Sequence, residues 1–265
     1  VIGKCSFEDC VNCKNVEFSE NSQLHLIDDG AFLGSSIETI IIPKNVRRIG
    51  DLCFAFCKKL LSVSFPEDSE LVSIGKYVFE NSTIQEFNIP KKLQKLDEEW
   101  CYQTPNLISI KNEYQNPNFQ IIEGKILLGK HELNNDNNNN NNNDKEYEIL
   151  YFATRNIQEI SIPIYIKEIK SNAFYECEKL QEINFEEKSK LEYIGKNTFS
   201  NTSITNIIIP KNVKFIGADA FFNCKHLRFV EFDENSKLKV INEGVFNSTA
   251  IKRILIPKNV EIIEQ

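Results

Sequence analysis

The chain has 265 residues, of which 41% are hydrophobic, and a net charge of -7 from 38 acidic against 31 basic side chains. That length and apolar fraction allow a large buried core, whereas the acidic balance argues against nucleic-acid binding, which needs a concentrated basic face. No apolar run approaches the roughly 18 residues that would span a bilayer, so no direct membrane insertion is expected of this segment.

An Ile or Leu precedes an anchor position ten times: at Gly3, Asp28, Gly50, Gly75, Asp97, Lys170, Gly195, Gly217, Asn242 and Glu264. Outside one interval the anchors are spaced alternately 25 and 22 residues apart, and a weaker anchor lies near Ile122. A compound period of 47 predicts a solenoid, in which each unit buries its apolar face only against its neighbours. The sequence opens inside a unit at Val1-Ile2-Gly3, closes inside one at Ile262-Ile263-Glu264 and contains no Met. It reads as a single solenoid over 1–265, a segment of something longer with partial units at both ends.

The first element of each unit follows the anchor and carries an aromatic four residues on. The set is Phe7, Phe32, Phe54, Phe79, Phe174, Phe199, Phe221 and Phe246, with Cys101 in that place once. These rings are expected to stack into a spine, each contributing about 1.5–3 kcal/mol by burial. The second element is a strand of the pattern apolar-x-x-apolar-x-apolar, as in Ile37, Ile40 and Ile42 or Leu60, Val63 and Phe65, returning as far as Ile251 to Ile256. Its period of two turns the named residues inward and leaves the intervening ones on the open face of a parallel sheet. About ten such strands at roughly 4.8 Å would make a ribbon near 50 Å long, a surface sized for a macromolecule.

Prolines confirm the register, since Pro43 and Pro90, Pro163 and Pro210, and Pro210 and Pro257 are each 47 residues apart. The interval Pro90 to Pro163 is 73, and its excess of 26 coincides with a low-complexity Asn-rich insertion at 131–146 that contains seven consecutive Asn. A tract without apolar side chains cannot offset its ordering entropy and is expected to be a mobile loop.

The loops after the strands alternate in charge. Acidic turns at Glu20, Glu67-Asp68, Glu186-Glu187 and Asp233-Glu234 interleave with basic ones at Lys44, Lys91-Lys92, Lys211 and Lys258, predicting a charge ladder along one edge. Calcium held by the acidic turns is the rival reading, but they lack a dense oxygen-ligand loop.

Eight cysteines raise disulfide and metal readings. Cys10, Cys57, Cys177 and Cys224 share a position that other units fill with Ser35, Ser82, Thr202 and Thr249, which suits a small group in a tight buried turn. Equivalent thiols two units apart exceed the roughly 7 Å between Cα atoms that a disulfide tolerates. Cys5, Cys10 and Cys13 cluster without an evident fourth zinc ligand. His25, His131 and His226 fall in unrelated places with no nucleophile and carboxylate in recognisable spacing, so neither catalysis nor a metal or cofactor is expected. Sequons at Asn81, Asn201 and Asn247 read either as glycan acceptors, if the chain is exported, or as turn formers.

Specificity should reside where the repeat is silent, in the outward rows. One row runs Asn15, Thr39, Ser62, Glu86, Ser109, Glu159, Glu182, Asn206, Phe229, Arg253, and the other Glu17, Ile41, Ser64, Asn88, Lys111, Ser161, Asn184, Ile208, Glu231, Leu255. Ile208, Phe229, Glu231, Arg253 and Leu255 gather near the C-terminal end as the candidate partner-binding residues, because an exposed aromatic beside Arg and aliphatics has the composition of an interface hot spot. The bland alternative is a set of strand formers shielding one another.

The repeated string Ile-Pro-Lys-Asn-Val-x-x-Ile-Gly-x-x-x-Phe-x-x-Cys-x-x-Leu, at Ile42 to Leu60 and Ile209 to Leu227, resembles the BspA-like leucine-rich repeats. Asn118 to Leu127 resembles a variant unit of that family, and Lys170, Asn242 and Glu264 depart from its Gly anchor. The resemblance implies an α/β leucine-rich-repeat solenoid, a curved right-handed stack of about eleven 22/25-residue units with its parallel sheet on the concave face. It also implies protein binding, often at a cell surface. The functional expectation is therefore non-enzymatic adhesion to host-surface or extracellular matrix proteins, with an intracellular interaction scaffold or assembly subunit as the alternative.

Overall fold

A computed structural model describes residues 1–97, 99–130 and 147–265. The Asn-rich insertion and His131 lie outside the described residues. The chain forms two compact units, Val1–Lys125 and Ile126–Gln265.

In the first unit the strand motifs build one parallel sheet, in the order Asn15–Val16, Thr39–Ile41, Ser62–Ser64, Glu86–Asn88 and Ser109–Lys111. The register pairs Ile40 with Val63, Val63 with Phe87 and Phe87 with Ile110, and all four are buried. Thr39 and Ile41, one residue either side, are exposed, as the alternation requires. A second parallel sheet was not anticipated. The residues just before each anchor form two-residue strands, Leu26–Ile27, Arg48–Ile49, Ser73–Ile74 and Lys95–Leu96, whose inner side chains are buried.

The second unit repeats both ladders. Its outward-facing strands are Glu159–Ile162, Glu182–Phe185, Asn206–Ile209 and Phe229–Phe232, joined as two separate pairs. Nine of the ten expected strand motifs thus lie in such ladders. The tenth, Ile251 to Ile256, is not a strand: Ala250 N–H still reaches the Leu227 carbonyl, but Ile251, Ile254 and Ile256 are only half-buried and the segment runs irregularly.

The interval around Ile122 also departs from the repeat. Phe119–Ile122 is a strand, and Ile126–Gly129 pairs antiparallel with Ile149–Ala153. Every residue of these last two strands is buried, so their near-continuous apolar runs replace the alternation.

No helix occurs among the described residues, which corrects the α/β expectation to an all-β solenoid in each unit. The cause is visible after each anchor, where residues two and six positions on hold left-handed φ: Leu52 and Phe56, Asn197 and Asn201, Asp219 and Asn223. The amides two, four and six positions after an anchor then point at the following unit. Leu52, Phe54 and Phe56 donate to the carbonyls of Lys76, Val78 and Glu80 at 2.8, 2.9 and 2.7 Å. Donors spent between units are not available to a helix.

These turns carry the aromatic spine. Phe32, Phe54 and Phe79 stack at 5.5 and 5.8 Å, and Phe174, Phe199 and Phe221 at 5.2 Å each, all six fully buried. Where Cys101 interrupts the series, the Trp100 ring meets Phe79 edge-on at 5.9 Å.

The anchor glycine has a separate reason, close approach of stacked backbones. A Cβ at Gly50 would stand 2.5 Å from the Asp29 amide nitrogen and 2.7 Å from the Asp28 carbonyl carbon. The space is used by the residue after the preceding anchor: Asp29 accepts from Asp51 N–H at 3.0 Å, Asp51 from Lys76 N–H at 3.0 Å, and Ser171 Oγ from Lys196 N–H at 3.2 Å. Anchors other than Gly keep the ladder. Lys170 and Glu264 donate their amides across it at 2.9 and 2.8 Å, and at Asn242 the side-chain Nδ2 donates to the Ile216 carbonyl.

Asp29 also pairs with Lys4 at 2.8 Å and Arg48 at 3.5 Å. The Lys4 hydrogen bond, helped by the Asp51 amide and opposed by burial, holds its carboxyl below the ordinary value. A carboxyl depressed on folding stabilises the native state above its unfolded pKa and loses that contribution as pH falls through the folded one. Asp29→Asn is therefore expected to flatten the acid limb of the stability curve, read as a smaller drop in Tm between about pH 5 and about pH 2 than in the parent chain.

Candidate functional site

The outward faces of the two units differ in chemistry. In the first, Thr39, Ser62, Glu86 and Ser109 align across the ladder. Glu86 is neutralised by Lys111 at 3.2 Å, and the same ammonium lies 3.8 Å from Glu113. At the loop edge the expected charge ladder forms around one acidic turn, where Lys44 meets Asp68 at 3.5 Å and Lys91 meets Glu67 at 3.6 Å. Such exposed pairs are worth at most about 1 kcal/mol and serve the order of units more than stability.

In the second unit the ladder registers Asn206 with Phe229 and Ile208 with Glu231. Ile208 is 61% and Phe229 66% exposed on rigid paired strands. These positions follow directly from the period of two, and the structure brings Ile208, Phe229 and Glu231 onto one sheet face. It does not bring in Arg253 and Leu255 by the same means. Both are exposed, Leu255 at 83%, but they lie on the irregular segment after the last ladder strand.

Between Glu182–Phe185 and Asn206–Ile209 the ladder is interrupted, and a cleft of about 480 Å³ lies there, lined by Glu182, Asn184, Thr205, Asn206 and Ile208 among others. Asn184 Nδ2 donates to Glu182 Oε1 at 2.8 Å. In the first unit a groove of about 450 Å³ gathers Phe18, Ile41, Pro43 and Pro66 with Glu17, Lys44 and Asp68, and Ile41 is 67% exposed. Sequence reasoning placed Ile41 outward but missed the groove, because prolines of two successive loops close it. It also missed the row on the second ladder, where Tyr193 and Phe215 pair while nearly half exposed. The signal was there: both directly precede the Ile of an Ile-Gly anchor.

The other candidates resolve into structure. Cys57 and Cys224 donate to the Phe32 and Phe199 carbonyls at 3.1 and 3.0 Å and contact Ser35 and Thr202. The hydroxyls of Ser82, Thr202 and Thr249 donate three residues back, at 2.8, 2.8 and 2.9 Å. The thiols of Cys57 and Cys224 thus cap the spine carbonyl of the preceding repeat, whereas the hydroxyls cap that of their own. All eight cysteines are free. Burial pushes the thiols of Cys53, Cys57, Cys177 and Cys224 up, which keeps them protonated and poor nucleophiles. Among the described residues no group of three or more His, Cys, Asp and Glu is placed to hold a metal ion. Of the sequon asparagines, Asn81 and Asn201 hold left-handed φ of 52° and 59° and accept hydrogen bonds from Lys58 and Asn223, which gives them turn-forming work. Asn247 is exposed and sits one register position earlier.

The Asn of the Ile-Pro-Lys-Asn string has a role the sequence did not announce. Asn45, Asn212 and Asn259 donate to the carbonyls of Ser22, Ser189 and Ser236 in the preceding acidic turns at 2.9, 2.9 and 2.7 Å, bracing each loop against the next.

The BspA type leucine rich repeat region model matches in 6 copies over residues 1–108 and 147–265. Three solved structures share the fold. The pneumococcal vaccine antigen PcpA is 22% identical, with a TM-score of 0.68 over 93% of this chain and 67% of that one. A leucine-rich repeat protein of Eubacterium ventriosum is 21% identical, with a TM-score of 0.66 over 92% of this chain and 79% of that one. A leucine rich cell surface protein of Faecalibacterium prausnitzii is 18% identical, with a TM-score of 0.62 over 99% of this chain and 75% of that one. No curated protein matches the sequence.

Proposed function

Since the chain belongs to the BspA-type leucine-rich repeat family, we propose that it is a non-enzymatic protein-binding domain that adheres to host-surface or extracellular matrix proteins at a cell surface. The observation that carries this reading is Phe229, two-thirds exposed on a hydrogen-bonded strand with Ile208 and Glu231 on the same face. A rigid aromatic held out by a ladder loses little conformational entropy on docking, and such anchors dominate interface energetics. Arg253 and Leu255, exposed on the segment that follows the last ladder strand, are assigned to the same interface. Similarity to a cell surface protein supports the location. The outward rows supply variation between units, and so a means of partner choice.

A second reading has one observation in its favour. All eight cysteines are free and five are buried as hydrogen-bonded or packed thiols, which suits a reducing compartment and an intracellular scaffold. Affinity capture in parallel from matrix extracts and from cell lysate separates the two. In either case Phe229→Ala with Arg253→Ala is expected to reduce capture by about 30-fold, the effect of losing a hot spot of roughly 2 kcal/mol. Unchanged capture with folded variant excludes the patch.

A further inference from the structure

The outward row of the second unit places two carboxylates side by side. Glu159 and Glu182 are register partners on neighbouring parallel strands, both exposed, with backbones about 4.8 Å apart. Like charges directly opposite each other in a sheet destabilise it. The first unit avoids this arrangement, because its outward Glu86 stands between Ser62 and Ser109 and is neutralised by Lys111. Among the described residues no lysine or arginine lies within ion-pair distance of Glu159, Glu182 or, two strands further on, Glu231. Glu182 of the pair lines the cleft of about 480 Å³ at the break in the ladder, and on the strands beyond that break stand the exposed apolar side chains Ile208 and Phe229.

We propose that this face takes an extended basic segment of a partner protein, with a lysine or arginine head between Glu159 and Glu182 and an apolar side chain seated against Ile208 and Phe229. The inference rests on the reading of this face as a protein-binding surface and adds the chemistry of what it binds. Charge complementarity fixes the occupant. The carboxylate pair lacks its own cation, a chain of net charge -7 attracts positive segments at long range, and Phe229 offers a ring face to a guanidinium or ammonium stem. An extended segment suits the row because outward side chains recur along it at strand spacing, so alternate residues of the partner meet acidic and apolar positions in turn.

The test uses the full chain and fluorescein-labelled peptides of Lys-Ser-Leu-Ser repeats (the Lys-Leu peptide), which put Lys and Leu in turn on one face of an extended segment, with Glu-Leu and Ser-Leu peptides of the same spacing and length as comparators, read by fluorescence anisotropy. The Lys-Leu peptide is expected to bind, the Glu-Leu peptide not, and raising salt from about 50 to about 500 mM should weaken the complex. Glu159→Gln and Glu182→Gln are each expected to weaken it about tenfold while raising Tm by about 1–3 °C, because removing one charge relieves the repulsion. A merely structural role for these residues would not move stability and binding in opposite directions. Equal binding of all three peptides overturns the proposal. So does an equal loss in Glu187→Gln or Glu234→Gln, exposed loop carboxylates away from the row, since that marks unspecific attraction. Displacement of the peptide by CaCl2, dependent on Glu159 and Glu182, would make the pair a cation site and also overturn it, as would a dimer in sedimentation that Glu182→Gln dissolves. If the peptides fail while Phe229→Ala with Arg253→Ala still weakens partner capture about 30-fold, the protein-binding face stands and only its basic occupant falls.

Discussion

Phe54→Ala is expected to destabilise the first unit by about 3–5 kcal/mol, the range for emptying a fully buried aromatic site. Phe54 is stacked on both sides, against Phe32 at 5.5 Å and Phe79 at 5.8 Å, so truncation removes two ring contacts and leaves a void between units. The surroundings cannot collapse into it, because Phe54, Leu52 and Phe56 are each tied to the next unit by amide hydrogen bonds that fix the spacing of the backbones. Urea denaturation followed by circular dichroism measures the effect. Phe7→Ala is the control: that ring has one stacked neighbour, at 5.1 Å, and is 36% exposed, so its loss should cost markedly less. Equal effects at the two positions would mean that the spine does not act through stacking between neighbours. In a repeat protein the damage should also be local, appearing as a lower unfolding midpoint for the first unit before any change in the second.

The spine was legible because each unit repeats its Phe at one place, and a large apolar residue recurring at a fixed period has no physical use except burial. The ladder was legible for a similar reason, as Val63, Phe87 and Ile110 alternate with polar neighbours. The turns after the anchors were not. A segment such as Gly50 to Cys57 carries good helix formers and no glycine after its anchor, and nothing local announces that Leu52 and Phe56 take left-handed φ. That conformation costs on the order of 1 kcal/mol per residue in isolation and is imposed by hydrogen bonds to a neighbouring unit. The second unit held a clue, since Asn172, Asn197, Asn201, Asp219, Asn223 and Gly244 are residue types that tolerate left-handed φ and recur two and six positions past an anchor.

At the candidate site the sequence supplied direction but not pairing. The period of two put Ile208, Phe229 and Glu231 outward, and the structure agrees. It could not reveal that the ladder breaks beside Asn206, or that the run from Ile251 leaves Arg253 and Leu255 off any strand, because the local pattern sets which way a side chain faces and not whether its backbone pairs with the adjoining repeat. The tie between Asn45 and the Ser22 carbonyl was hidden for a different reason: its partners are 23 residues apart, and a side chain that braces a loop leaves no apolar pattern.

Gly50→Ala is expected to cost about 1–3 kcal/mol, as forcing one methyl into a closely packed site typically does. The new Cβ would lie 2.5 Å from the Asp29 amide nitrogen and 2.7 Å from the Asp28 carbonyl carbon, both backbone atoms that cannot rotate aside. Relief requires the two units to separate, which stretches the Gly50 amide bond to the Ile27 carbonyl at 2.8 Å and the Asp29 bond to the Asp51 amide at 3.0 Å. In ordinary solvent-exposed structure Gly→Ala would instead stabilise by restricting the unfolded chain, so the sign of the change is itself the test. Gly3→Ala provides the contrast, because its Cβ would meet only Ser6 Oγ, at 3.5 Å. Thermal melts of the two variants should therefore move in opposite directions. A stabilised Gly50→Ala would show that the stacked backbones are not in contact at the anchor, and the account of why Gly recurs there would have to be abandoned.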